Sequence, residues 1–260
     1  MFSVIKLIGV LLLVLMPNIA TAQKIQTIIS LDLCTDWMLI KYARSNQRVI
    51  YSPLLYQNPP YWVPQHLAVH NGSLEQLLQL KPDMILSGEF NALILRKRLQ
   101  QLGINVITLP MPTTLEQIAD YSHSFKSVVA VNDALEQDLI VPEYRQKNLS
   151  LLLVGSNGIG TGRATLEHEV LSNAGYDNYL TSQGFVALDL EKLLLQPPDV
   201  IISTSQYADT PSLANLFVQH KAISRSTPIE YTSAKEIWAW QCPGPWTFDL
   251  VNTLALRDRS

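Results

Sequence analysis

The stretch Leu74–Ser87, LEQLLQLKPDMILS, returns 116 positions later as Leu190–Ser203, LEKLLLQPPDVIIS. Eight of the fourteen positions are identical: the leucines at 74/190, 77/193 and 78/194, glutamate at 75/191, proline at 82/198, aspartate at 83/199, isoleucine at 85/201 and serine at 87/203. Each copy sets its leucines at helical spacing, breaks at proline and continues as a short apolar run of strand length. A solenoid needs at least about three stacked units. Two distant copies point instead to two similar α/β lobes with something held between them.

Around the first copy, Ile25–Leu31 reads as a strand, residues 36–43 as a helix and Arg48–Tyr51 as a second strand. The stretch 52–72, with Pro53, Pro59, Pro60 and Pro64, reads as a long loop, and such loops in compact domains are usually functional. Ser73 with Gln76 has the spacing of a capping box. A helix over 91–102 and a strand over 105–109 continue the α/β alternation, which argues for a mainly parallel sheet. From Thr114 the apolar residues keep helical spacing to about Leu139, which predicts a connector of about 25 residues, near 37 Å long. The expected division is an N-terminal lobe over 23–112, a connecting helix within 113–147 and a C-terminal lobe over 148–260. In the latter, strand 151–154 leads into a glycine-rich loop over 155–162. Helix 164–173 and the second repeat copy with Asp189 as N-cap come next, then a helix near 212–219, a strand near 229–231 and a last helix over 246–256.

The first residues address the chain. Lys6, the apolar run Leu7–Met16, Pro17 and the small residues Ala20 and Ala22 read as a secretory signal over 1–22. The run is too short to span a bilayer. No cysteine stands at the cleavage point, so an exported, soluble, periplasmic protein is expected. The remaining roughly 240 residues suffice for two lobes. A charged fraction of 16%, a formal net charge of −3 and the lack of a basic run give nucleic-acid or acidic-membrane binding no electrostatic support. The two cysteines, Cys34 and Cys242, either pair in an oxidising compartment or stay apart as small buried hydrophobes; spacing does not decide between these.

Two α/β lobes, one long connecting helix and an LExLLxxxPDxIxS segment in each lobe resemble the class III periplasmic substrate-binding proteins. These are the soluble components of ABC importers for vitamin B12, ferric siderophores and haem. The start Ile28–Asp36, IISLDLCTD, and the tail Trp240–Thr247, WQCPGPWT, resemble a cysteine-bearing branch of that family. The resemblance implies a ligand cleft between lobes and a top surface that docks on a membrane permease. It implies that Glu75 and Glu191, one per lobe, pair with arginines of that permease. Their acidity alone is also explained by the helix dipole, which favours a carboxylate in the first turn by about 0.3–1 kcal/mol.

Ligands of open α/β sheets sit beyond the carboxyl ends of the strands. That rule nominates Tyr51, Tyr56, Tyr61, Trp62 and Phe90 in the first lobe, and Asn157, Tyr207, Trp238 and Trp240 in the second; Phe185, just before the second repeat copy, and Asn71, just before the first, are candidates by their matching places. Trp238 and Trp240 stand out if their segment is extended, since alternate residues then share a face. Such side chains suit a large ring-bearing ligand. Arg163 and Lys235 are the main cations near the expected cleft, which favours a corrinoid over a strongly anionic catecholate chelate.

The glycine-rich loop lacks the Gly-Lys-Ser/Thr ending of a phosphate loop and the dinucleotide fingerprint, so it reads as backbone that approaches the ligand. The five histidines are scattered and no bare metal site is expected. His70, Tyr56 and Tyr61 could ligate haem iron, against the plainer reading of His70 as a partly exposed loop residue. No nucleophile elbow or close carboxylate pair appears. The expectation is a monomeric binding protein, not an enzyme, without a resident cofactor, for a cobalamin or iron-chelate ligand whose own iron or cobalt belongs to the cargo. Other readings are a haem or metal carrier of the same fold, a signalling or scaffolding module, and a periplasmic enzyme with Cys34 as a reactive thiolate.

Overall fold

The computed structural model describes residues 25–57, 59–130, 144–155, 158–204, 216, 220–231 and 236–257. The expected signal segment lies outside them.

Residues 25–109 build a four-stranded, wholly parallel sheet. Its strands are β1 (Gln26–Ser30), β2 (Gln47–Ile50), β3 (Met84–Gly88) and β4 (Val106–Leu109), in the order β2-β1-β3-β4. Helices α1 (Leu33–Tyr42), α2 (Leu74–Gln79) and α3 (Leu93–Gln101) alternate with them. The second sheet runs β10-β9-β5-β6-β8. Here β5 (Ser150–Val154), β9 (Val200–Ser203) and β10 (Ile229–Tyr231) are parallel, and β6 (Ile159–Thr161) and β8 (Phe185–Ala187) form an antiparallel arm. The two-residue β7 (Asp177–Asn178) lies along the start of β5. Helices α5 (Leu166–Asn173), α6 (Leu190–Leu195), α7 (Lys221–Ser226), α8 (Ile237–Gln241) and α9 (Trp246–Ala255) complete this half. The helix expected near 212–219 falls almost wholly outside the described residues.

The two repeat copies fold alike. Ser73 caps α2 by accepting from Gln76 N, and Asp189 caps α6 by accepting from Glu191 N and Lys192 N. The capping box is not reciprocal. Gln76 Oε1 accepts instead from Asn71 N at 2.5 Å, and Asn71 Oδ1 accepts from Ser73 N at 2.9 Å. Leu77 and Leu193 are the buried leucines of their helices. The shared aspartates act identically: Asp83 accepts from Thr27 N at 2.8 Å and Asp199 from Ser150 N at 2.8 Å, each fixing the first strand of its sheet.

Alternation along the strands divides the core. Ile29 and Ile85 pack with Leu77 and Leu99 under α2 and α3, and Leu152 and Ile201 pack with Leu193 and Ile223 under α6 and α7. Ile28 and Leu86 of one sheet and Leu151 and Leu153 of the other point the opposite way, into a single cluster that runs through both halves. The chain passes between the sheets once. α4 (Leu115–Val128) carries Leu115, Ile118, Tyr121 and Phe125 into the shared core. This helix is shorter than expected: it closes at Val128, and Ala130 takes a left-handed backbone (φ 55°). Residues 131–143 lie outside the described residues.

Cys34 in α1 and Cys242 after α8 form a disulfide, with Cα atoms 5.1 Å apart across 208 positions of sequence. A cross-link closing so long a loop restricts the unfolded chain strongly. Replacing both cysteines by serine should lower the unfolding free energy by roughly 3–5 kcal/mol in urea denaturation, and unreduced protein should show no titratable thiol.

Candidate functional site

The N-terminal half organises its carboxyl edge around one turn, Ser30 to Trp37. Asp32 is the N-cap of α1: Oδ1 accepts from Thr35 N at 3.0 Å, and Oδ2 accepts from Gly88 N at 2.6 Å, at the end of β3. One helical turn on, Asp36 accepts from Ser52 N at 2.9 Å and from Ser52 Oγ at 2.5 Å. Both aspartates are buried, as are Ser30, Thr35 and Ser52. Burial pushes the Asp36 carboxyl up to about 7 against the pull of its bonds to Ser52, with Asp32 adding repulsion. Tyr51 is also buried, and its phenol is pushed up to about 12 by burial and by the nearby Asp36. It is a core residue, not a surface aromatic.

The stretch 52–72 is tied at both ends. Tyr51 pairs with Val69 in an isolated parallel bridge. His70 is almost fully buried. Its Nδ1 accepts from Gly72 N at 2.9 Å, so Nε2 carries the proton and donates to the Ser30 carbonyl at 2.8 Å. Burial lowers its pKa, the Ser30 bond opposing. Both readings of His70 are thereby corrected: it is buried and not a partly exposed loop residue, and with both ring nitrogens engaged neither is free to ligate iron. Tyr56 staples the loop: its hydroxyl donates to the Pro64 carbonyl and accepts from Leu67 N at 2.6 Å. Asn71 braces the cap of α2, its Oδ1 accepting from Ser73 N and its own N–H donating to Gln76 Oε1. Tyr61, at 80% exposure, projects into solvent.

Phe90 follows β3 and is 67% exposed. Its turn is clamped by Arg96, which donates to the carbonyls of Gly88 and Glu89, and by Glu89, whose carboxylate accepts from Met111 N. Ala92, immediately before α3, adopts a left-handed backbone (φ 49°), strain that the clamp sustains. Leu93 and Ile94 are exposed beside it. In the other half Phe185 opens the edge strand β8 and is 71% exposed. The described end of the glycine-rich stretch is not loop but strand β6, paired with β5. Its glycines make room for the chain itself. A Cβ on Gly162 would collide with the Ser182 carbonyl, and one on Gly160 with Leu180 and Leu188. Asn157, Tyr207 and Lys235 lie outside the described residues.

Trp238 and Trp240 are the main correction. Residues 237–241 are helical, so the two side chains do not share a face: Trp238 is buried and Trp240 half-buried. Trp238 belongs to a cluster with Trp37, Trp62 and Trp246. Trp37 meets the other three at ring centroid distances of 5.9–6.1 Å, and those three lie 5.5–5.7 Å from one another. Most of these contacts are edge-to-face, the arrangement that ring quadrupoles favour. The indole N–H groups of Trp37 and Trp238 are buried and find no hydrogen-bond acceptor among the described residues. Trp37 and Trp246 escaped the sequence reading. A local signal existed for Trp37 alone: it follows Cys34 by three residues on α1, a separation that brings helical side chains to one face, whereas Cys242 and Trp246 share no helix.

Both repeat helices precede a parallel strand and so run back along the sheet, which sets Glu75 and Glu191 at its carboxyl edge. Both glutamates are exposed. The α6 face beside Glu191 also exposes Leu194 and Leu195, whereas α2 has Leu78, partly buried, and Gln79. Among the described residues no three histidine, cysteine or acidic side chains gather as a metal site, and no helix is long and apolar enough to cross a membrane.

No protein-family profile and no curated protein matches the chain by sequence. Solved structures do match. A possible iron-binding periplasmic solute-binding protein from Staphylococcus epidermidis is 19% identical with a TM-score of 0.62, over 90% of this chain and 98% of that one. A periplasmic haem-binding protein from Pseudomonas aeruginosa is 18% identical (TM-score 0.61; 88% and 91% covered). The periplasmic vitamin B12-binding protein BtuF of Vibrio cholerae is also 18% identical (TM-score 0.58; 88% and 95% covered). The chain has the two-sheet α/β fold of these periplasmic binding proteins.

Proposed function

We propose that this protein is the periplasmic substrate-binding component of an ABC importer, taking a cobalamin, haem or iron-chelate ligand between its two halves. The observation that carries this reading is the doubled device on a shared fold. One parallel sheet and one mixed sheet, in a fold shared with known periplasmic binding proteins, each present one capped helix with an exposed glutamate at the carboxyl edge. The process is capture and delivery without covalent chemistry. Exposed rings, Phe90 and Tyr61 from one half and Phe185 from the other, offer apolar area to a flat ligand. Glu75 and Glu191 present two carboxylates to cationic side chains of a permease, a contact that gains most in orientation and encounter rate. The disulfide, the tryptophan cluster and the core shared by both halves hold the halves together, so closure around the ligand is small beside that of hinge-type proteins.

Titration with cyanocobalamin, haemin and ferric siderophores, followed by tryptophan fluorescence and thermal shift, should give saturable binding for one of them; no response to any contradicts the reading. Phe90→Ala and Phe185→Ala should weaken that binding while changing stability by less than about 0.5 kcal/mol, as expected of exposed side chains. Trp238→Ala should cost about 3–5 kcal/mol of stability in the same denaturation assay. Replacing Glu75 and Glu191 together by alanine should abolish uptake in cells and leave ligand affinity intact.

A further inference from the structure

The turn that carries Phe90 is held from several directions, and the hold centres on one side chain of α3. We infer that Arg96 is a positioning residue of the ligand site: its guanidinium fixes the turn over 88–92 in the conformation that keeps the Phe90 ring out for the ligand. This role presupposes that Phe90 meets the ligand, as proposed above.

The guanidinium works as a fork. Arg96 Nη1 donates to the Gly88 carbonyl at 3.2 Å and to Thr108 Oγ1 at 3.0 Å, and Nη2 donates to the Glu89 carbonyl at 2.8 Å. Gly88 ends β3 and Thr108 lies in β4, so one side chain spans the ends of two neighbouring strands. Other bonds close the turn around it. Asp32 Oδ2 accepts from Gly88 N at 2.6 Å, and Asn91 N donates to the Gly88 carbonyl at 3.1 Å. The Glu89 carboxylate reaches across to accept from Met111 N at 3.2 Å. A side chain at position 88 would meet the Asn91 amide group at 2.9 Å, which leaves glycine as the residue that fits.

Several local costs meet at this turn. Ala92 takes a left-handed backbone, φ 49°, which an L-residue other than glycine adopts under strain. The Phe90 ring stays in water although the exposed Leu93 and Ile94 beside it offer apolar area to cover. The Arg96 Nε–H is buried and has no acceptor among the described residues. Such features persist where the surroundings over-determine a conformation. Packing of α3 does not require them, because its sheet-facing side is made by Leu95 and Leu99. What the bonds of Arg96 secure is the direction of Phe90. A lysine at this position keeps the charge but puts a compact ammonium in place of a planar fork that fits two carbonyls and a hydroxyl. Without the fork, Phe90 folds toward Leu93 and Ile94 and is lost to the ligand.

Affinity and amide hydrogen exchange on the intact protein test this. With whichever of cyanocobalamin, haemin or a ferric siderophore binds the wild type, Arg96→Lys should weaken binding about fivefold although the charge is kept. Thr108→Val, which removes one oxygen of the fork's partners, should weaken it in the same sense. In a Phe90→Ala background Arg96→Lys should cause no further loss, because both changes act through one contact. In the ligand-free protein Arg96→Lys should speed exchange at the Asn91 and Met111 amides several-fold. The Ile85 amide of β3, bonded to the Asn105 carbonyl, should stay as protected as in the wild type. Should Arg96→Lys expose Ile85 as well, Thr108→Val carries both measurements. Wild-type affinity in the Arg96 variant, or an equal loss once Phe90 is already removed, overturns the positioning role. Unchanged exchange at Asn91 and Met111 overturns the clamp itself, with or without a ligand. If none of the three probes binds the wild type, it is the transport reading that falls, and the ligand role of Arg96 falls with it.

Discussion

The turn from Ser30 to Trp37 is the constraint on which the rest of the candidate site depends. Within eight residues it caps α1, ties the end of β3 through Asp32 and Gly88, and anchors both ends of the 52–72 loop. The same turn carries the covalent link to the C-terminal segment and a ring of the tryptophan cluster. A buried carboxylate is costly unless its lone pairs are filled, so Asp32 and Asp36 specify one arrangement of the surrounding backbone. Shifting either loop leaves a buried charge or amide unpaired. That is how a proline-rich stretch without regular structure acquires a defined position.

The two halves share one apolar core instead of meeting only through a connecting segment. The inward faces of both sheets, α1, α4, α5 and α9 contribute to one apolar cluster, and packed cores resist continuous deformation. The disulfide acts in the same direction, because Cys34 lies in the first half of the chain and Cys242 at its end. On the proposed function, such a core leaves the ligand surface largely preformed, and preorganisation reduces the ordering entropy lost on association. The exposed phenylalanines fit such a surface. Phe90 is held out by a turn clamped through Arg96 and Glu89, and Phe185 by the arm that Gly160 and Gly162 allow to pack closely.

What the sequence disclosed and what it hid separate along physical lines. The repeat was legible because its information is local: leucine period, cap, proline and strand run are all set by neighbours in the chain. The parallel sheets, the caps Ser73 and Asp189 and the final helix follow from such rules. The glycine-rich stretch misled because glycine signals close approach without naming what approaches, and here it is Ser182, Leu180 and Leu188. Trp238 and Trp240 misled because an alternating pattern of four residues fits a strand, while tertiary contacts with Trp37 and Trp62 impose a helical turn. The Asp36–Ser52 pair and the Ser30–His70 contact were illegible, since each joins segments 16 and 40 positions apart through polar groups without periodicity. His70 shows the cost of reading residue type alone: a histidine beside an expected cleft proved to be a buried brace.

The most direct test of a preformed two-sided site is a crystal structure of the protein with whichever of haemin, cyanocobalamin or a ferric siderophore it binds. Density for the ligand ring should lie between the Phe90 turn and the Phe185 strand, with the Trp37, Trp62, Trp238 and Trp246 rings and the Cys34–Cys242 bond as they stand without ligand. A ligand bound elsewhere, or one that enters only by dispersing the four tryptophans, contradicts the assignment of the site.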